Sequence, residues 1–160
     1  MVKDSTNKVP EHDESHRIKI ISFGFKKGDP PIANLLFDVR FLQNPYWVEA
    51  LRPLSGLDKP VRDYVMEQGS ACGFLEHLLP LIEQVMPLMF ETKSHVFTIA
   101  LGCTGGQHRS VSVAETLAEA LRAKYPDIVI DIEHREMGVF RQLEARSSIT
   151  VPGGGGLTGK

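Results

Sequence analysis

One stretch constrains the fold more than any other: Val96-Phe97-Thr98-Ile99-Ala100-Leu101, then Gly102-Cys103-Thr104-Gly105-Gly106-Gln107-His108-Arg109-Ser110, then apolar positions at Val111, Ala114, Leu117 and Leu121. The first run has the β-branched, apolar character of a buried strand, and the last repeats at helical spacing. A second apolar run, Ile128 to Ile132, follows the helix pattern, so residues 96–132 read as a strand-helix-strand unit with parallel strands. Further strands are expected at 18–25 and 36–41, and a short helix at 61–67. Leu75, Leu78, Leu79, Ile82, Val85, Met86 and Met89 mark a longer helix that Pro80 and Pro87 are expected to kink or divide. The expected fold is α/β, a single domain with a central mixed or mostly parallel sheet of about four strands and flanking helices.

At 160 residues, with 42% hydrophobic and 24% charged, the chain suits one domain with a core of its own. Residues 1–16, including His12 and His16, carry charge with little to bury and are expected to be a disordered leader. The domain proper is expected over 17–146. Residues 147–160, with glycine at every position from 153 to 156, are expected to be a flexible tail. The tail spells Gly-x-x-x-x-Gly-Lys from Gly154, but no Ser/Thr or helix follows it, so it reads as coincidence rather than a nucleotide loop. A formal charge of -2 argues against simple electrostatic binding of nucleic acid, although a local basic face stays open. Two cysteines read as free thiols, which favours the cytoplasm, and no apolar run is long enough to span a bilayer.

The loop after the strand carries the chemistry. Adjacent Gly105 and Gly106 let backbone amides turn toward one point, the following helix offers its positive N-terminus, and Arg109 brings a guanidinium fork. Together they make a pocket for a phosphate. Thr104 to Gln107 would supply donors, His108 and Arg109 charge, and Ser110 either a further donor or a helix cap. The spacing from Cys103 to Arg109 and Ser110 also matches the loop of cysteine-dependent phosphatases. Cys103 is therefore open to two readings, a nucleophile and an inert packed side chain. A phosphatase needs a general acid, and Asp38 and Asp58 are the candidates, neither in a diagnostic pattern. Cys72, His77, His95, Cys103, His108 and His134 lack paired metal-ligand spacing, so neither metal nor cofactor is expected.

A second cluster runs through Phe23-Gly24-Phe25-Lys26-Lys27-Gly28 and Asp38-Val39-Arg40-Phe41-Leu42-Gln43-Asn44-Pro45-Tyr46-Trp47. Lys26, Arg40 and Arg52 fall at strand ends or turns and suggest anion recognition as a set. Asp38 has two readings, contact with a sugar hydroxyl or ammonium and simple pairing with Arg40. Tyr46 and Trp47 read as ligand stacking or as rim packing.

Taken together, Ser-Phe-Gly-Phe-Lys at 22–26, Asp-Val-Arg-Phe-Leu at 38–42, Asn-Pro at 44–45, Leu-Arg-Pro-Leu-Ser-Gly-Leu-Asp-Lys-Pro at 51–60 and the loop at 102–110 resemble the C-terminal domain of the RapZ/YvcJ family over residues 18–137. The resemblance implies an amino-sugar-phosphate-sensing domain that binds glucosamine-6-phosphate and a small regulatory RNA, within a protein that presents the RNA to an endoribonuclease. It also implies self-assembly. Family members carry an N-terminal P-loop kinase-like domain that is not in this sequence, so nucleotide binding by that domain is not carried over. The position of Tyr46 is typically His in the RNA-adapter members. Their basic C-terminus corresponds here to the mixed charges of His134-Arg135-Glu136 and Arg141, Glu144 and Arg146.

The expectation from sequence is a cytoplasmic sensor of a phosphorylated sugar. Its ligand would be held by Cys103, Thr104, Gly105, Gly106, Gln107, His108, Arg109 and Ser110, with Lys26, Asp38, Arg40 and Tyr46. RNA or a protein is the expected partner and a homo-oligomer the expected assembly, with no membrane association. A cysteine-dependent phosphatase and a small-RNA-binding RNase adapter are the alternatives.

Overall fold

In the computed structural model, which describes residues 15–146, the elements run β1 (Arg17–Gly24), β2 (Leu35–Asp38), α1 (Lys59–Met66), α2 (Gly69–Glu91), β3 (Val96–Cys103), α3 (Arg109–Lys124), β4 (Val129–His134) and β5 (Val139–Leu143). They make a single α/β domain around one five-stranded sheet of order β2-β3-β1-β4-β5. β2, β3, β1 and β4 are mutually parallel, and β5 turns back antiparallel on β4. The near-continuous apolar sequence of β1 and β3 follows from their central places, where a parallel strand is buried on both faces.

The main core joins one face of the sheet to the helices. Ile18, Ile20, Phe97, Ile99, Leu101, Ile130 and Ile132 pack with Val61, Val65, Leu78, Ile82, Val113, Leu117 and Leu121. A smaller cluster of Ile21, Phe23 and Ala100 is covered by Phe25 and Ala33 from the segment after β1.

Three details depart from the sequence pattern. The second strand ends at Asp38 rather than Phe41, because Val39 turns out of the sheet after its amide meets Gly102 O at 2.8 Å. α2 is one helix of 23 residues, undivided by Pro80 and Pro87. Both prolines are exposed, and so are Glu76 and Glu83 four residues earlier, whose carbonyls lose their amide partners; water can serve those carbonyls, so the helix continues. The fifth strand, β5, has no counterpart among the expected strands.

Among the described residues no helix is long and apolar enough to cross a membrane. His12 and the glycine tail with its Gly-x-x-x-x-Gly-Lys stretch lie outside the described residues. The His16 ring, assigned to the leader from sequence, stacks on Phe90 with centroids 4.1 Å apart.

Candidate functional site

Parallel strands deliver the loops after their C-terminal ends to one edge of the sheet, where ligands of such folds bind. The order β2-β3-β1 sets three of these loops side by side. Phe25 N donates to Cys103 O at 2.8 Å and Lys26 N to Thr104 O at 3.2 Å, so the segment after β1 runs along the glycine loop. From another side Gly56 N donates to Gln107 O at 2.8 Å, which ties the Leu-Arg-Pro-Leu-Ser-Gly-Leu-Asp-Lys-Pro motif to the start of α3.

Two glycines make this approach feasible. A Cβ on Gly24 would lie 2.7 Å from Gly105 C and 2.9 Å from Gly106 N, both backbone atoms that cannot move aside. Gly106 adopts φ +72, the left-handed region that side chains strain, and a Cβ there would meet Gly24 N and Glu136 Cγ at 2.7 Å. Glu136 Oε2 accepts the Gly24 amide at 2.7 Å and so locks the end of β1 beneath the loop.

Above the loop opens a cleft of about 420 Å³. Cys103, Thr104, Gly105, Gln107, His108 and Arg109 form its floor; Lys26, Lys27, Asn44, Tyr46 and Trp47 complete its lining. Among the described residues no protein acceptor meets the amides of Thr104, Gly105, Gln107 or His108. His108 Nε2 and Arg109 Nε are likewise buried without a hydrogen-bond partner. A wall with several unanswered donors and two lysines suits an anion.

The expected residues divide into those that line the cleft and those that hold it. Lys26, Tyr46, Cys103, Thr104, Gly105, Gln107, His108 and Arg109 line it. Arg109 is also a clamp: Nη1 donates to Arg40 O at 2.9 Å and Leu42 O at 3.1 Å, and Nη2 to Thr104 Oγ1 at 3.2 Å. Cys103 Sγ accepts the Gly106 amide at 3.3 Å and sits 3.1 Å from Ser110 Oγ, which is fully buried. Ser110 thus braces the floor. Asp38 and Arg40 do not line the cleft and are joined to each other, with Arg40 Nη2 2.6 Å and Nε 3.0 Å from Asp38 Oδ2. The Arg40 hydrogen bond holds the Asp38 carboxyl below its ordinary value, against the upward pull of burial. Arg40 also lies over the Phe25 ring, 4.3 Å from its centroid.

Lys27 and Asn44 line the cleft without having been assigned a ligand role from sequence, Trp47, read from sequence as ligand stacking or rim packing, lines it too, and Gly24, Gly56 and Glu136 support it. The Asn-Pro-Tyr-Trp run was the available signal: Asn44 caps a short 3-10 turn over Pro45–Trp47 through its side-chain contact with Tyr46 N at 3.2 Å. Among the described residues no cluster of His, Cys, Asp and Glu is able to hold a metal.

A second polar cluster sits beside the first, with Ser22, His134 and Glu115 buried and Arg141 reaching it from the surface. His134 Nδ1 meets Ser22 Oγ at 2.7 Å, and His134 Nε2 meets Glu115 Oε1 at 2.7 Å. The other Glu115 oxygen receives Arg141 from β5. Burial draws the Glu115 carboxyl upward, but the His134 hydrogen bond and the Arg141 charge outweigh it and leave the group below its ordinary value.

Comparison with known proteins identifies the family. The family described as the RapZ C-terminal domain matches residues 16–138. A nucleotide-binding protein of Lawsonia intracellularis is 48% identical over 137 residues, covering 86% of this chain and 43% of that protein. Nucleotide-binding proteins of Nitratidesulfovibrio vulgaris and Lactobacillus helveticus are 54% and 50% identical, each over 123 residues, 77% of this chain and 41% of theirs. The chain therefore spans about two fifths of the length of these curated relatives.

Proposed function

Because the chain belongs to the RapZ C-terminal domain family, we propose that it is a binding and regulatory domain whose ligand is a phosphorylated small molecule, an amino-sugar phosphate of the glucosamine-6-phosphate type. One observation supports this reading above the rest. The glycine loop presents four amides without protein acceptors in a cleft that also holds Lys26 and Lys27. A phosphate would answer those donors on the floor. The remaining volume, with the side chains of Asn44 and Gln107, would take the hydroxyl-bearing part of the ligand.

Catalysis by Cys103 is not part of the proposal. The phosphatase reading needs an arginine fork that turns to the phosphate and an acid that protonates the leaving group. Arg109 spends both terminal nitrogens on protein oxygens, Asp38 is paired with Arg40, and Asp58 accepts from Ser55 N at 2.8 Å. The relatives' description as nucleotide-binding belongs to proteins more than twice the length of the matched region. We place the domain in the cytoplasm, where the free thiols of Cys72 and Cys103 are at home, with an RNA or protein as its regulatory partner and assembly into a homo-oligomer.

Isothermal titration with glucosamine-6-phosphate, beside glucosamine and inorganic phosphate, tests the reading. Saturable binding of the phosphosugar, weaker binding of phosphate and none of glucosamine are expected. Lys26→Ala should weaken both phosphate-bearing ligands. A domain that binds neither of them refutes the proposal. For RNA, a band shift that fades steeply with added salt is expected, and no shift at low salt removes that partner.

A further inference from the structure

Trp47 is the one tryptophan in the chain, and its side chain is 76% exposed on the lining of the cleft. A ring of this size left in water forgoes a large apolar burial, so its support is informative. The turn that carries it is pinned: Trp47 N donates to Asn44 O at 3.2 Å and Val48 N to Pro45 O at 2.9 Å. Arg52 Nε donates to Tyr46 O at 2.9 Å while its guanidinium lies 5.0 Å from the Tyr46 ring centroid. Tyr46 then meets Trp47 edge to face, with centroids 5.4 Å apart. The backbone and the neighbouring ring are both fixed, yet the indole packs into no core cluster. It is held in place and left uncovered.

We propose that the Trp47 indole is a stacking platform for the apolar C–H face of a pyranose ring, and that it makes the site select cyclic sugar phosphates over acyclic ones. This rests on the phosphate reading above, with the phosphate on the 103–109 loop. The electron-rich face of an indole attracts the polarised C–H groups on one side of a pyranose. The ring's hydroxyls point outward from its rim, toward side chains of the kind that Asn44, Gln107 and His108 bring to this cleft. A cleft of about 420 Å³ has room for one pyranose ring with its phosphate.

The single tryptophan is its own probe. Glucosamine-6-phosphate should change Trp47 emission saturably and shield it from acrylamide, while glycerol 3-phosphate and inorganic phosphate should do neither. Trp47→Ala should weaken the phosphosugar by about fivefold to tenfold and leave inorganic phosphate within about twofold, with Trp47→Phe recovering most of the loss. The substitution is at an exposed side chain, and an unchanged circular dichroism spectrum verifies the fold. Calorimetric binding of the phosphosugar with Trp47 emission unchanged, and with full affinity in Trp47→Ala, overturns the platform and leaves the phosphate site standing. Stronger quenching by adenosine monophosphate than by the phosphosugar, with calorimetric binding of the nucleotide that weakens in Trp47→Ala, replaces the sugar with a nucleobase and overturns the ligand class. Failure of every phosphate-bearing ligand to bind overturns both readings at once.

Discussion

The glycine loop after β3 and the Ser22–His134–Glu115–Arg141 cluster both gather polar groups around the same central strands, but they end in opposite states. In the buried cluster Ser22 and His134 are fully buried and Glu115 is 2% exposed, and each has its partner. In the loop, amides and the atoms His108 Nε2 and Arg109 Nε have none, and a cleft stands over them. His108 Nε2 and Arg109 Nε are buried, and buried polar groups without partners are costly, so a fold retains them where something else is to be bound, while the amides face the open cleft. The satisfied cluster is therefore structural, joining β1, β4, β5 and α3; the unsatisfied one is the place for a ligand. Removing a residue from the first should change stability and spare binding, and disturbing the second should change binding.

The largest effect is expected from His134→Ala. It leaves the Glu115 carboxylate buried with one partner fewer and strands the Ser22 hydroxyl, a loss of about 3–5 kcal/mol for breaking a buried pair from one side. Urea unfolding measures it. The folded protein should bind phosphate as the parent does, and a loss of phosphate affinity with stability intact would collapse the distinction between the two clusters.

Next comes Gly106→Ala, which forces a side chain into φ +72 and against backbone at Gly24. It should cost about 1–3 kcal/mol and also weaken phosphate binding, because the loop must move. Gly105→Ala is the control. Nothing lies within 4 Å of its Cβ position and its φ is not positive, so stability should stay within about 0.5 kcal/mol. Equal losses from both glycines would show that loop flexibility, rather than the close approach at Gly106, sets the geometry.

Acid sharpens the comparison further. Glu115 is held below its ordinary value of 4.5, so the folded state prefers its ionised form. Its stabilising contribution is complete above that ordinary value and is lost as pH falls through the lower folded value. Glu115→Gln should therefore be less stable than the parent at neutral pH, and the gap should narrow as the pH drops below 4.5. A gap that widens on acidification contradicts the assignment of Glu115 as an ionised partner of His134 and Arg141.

The sequence made the loop legible but not the whole wall of the cleft. Val96 to Ser110 can be read because a buried parallel strand, a glycine turn and a helix start each leave a local mark within a few residues. Lys27, Asn44 and Trp47 reach the cleft only because the strand order brings the ends of β1 and β2 to either side of β3, which is a property of the sheet. β5 escaped for a related reason. Val139-Phe140-Arg141-Gln142-Leu143 is an edge strand with an exposed middle, and what fixes it is pairing from His134↔Val139 to Ile130↔Leu143 rather than any apolar pattern. Pro80 and Pro87 misled because their effect depends on which face of the helix they occupy, and both lie on the wet one.

The smallest expected effect concerns Asp38, which has no place in either cluster. Its pair with Arg40 is short, but both side chains are 45% exposed, and an exposed ion pair contributes about 0–1 kcal/mol. Asp38→Asn should therefore change stability by no more than that in urea unfolding. It should also leave phosphosugar affinity within about twofold, since neither residue lines the cleft. The alternative remains physically distinct: if the pair opened on ligand binding, Asp38 would face the amino group of the sugar. Asp38→Asn would then weaken glucosamine-6-phosphate while sparing glucose-6-phosphate. Titrating both sugars against this one variant decides whether the charged pair is a neighbour of the site or a part of it.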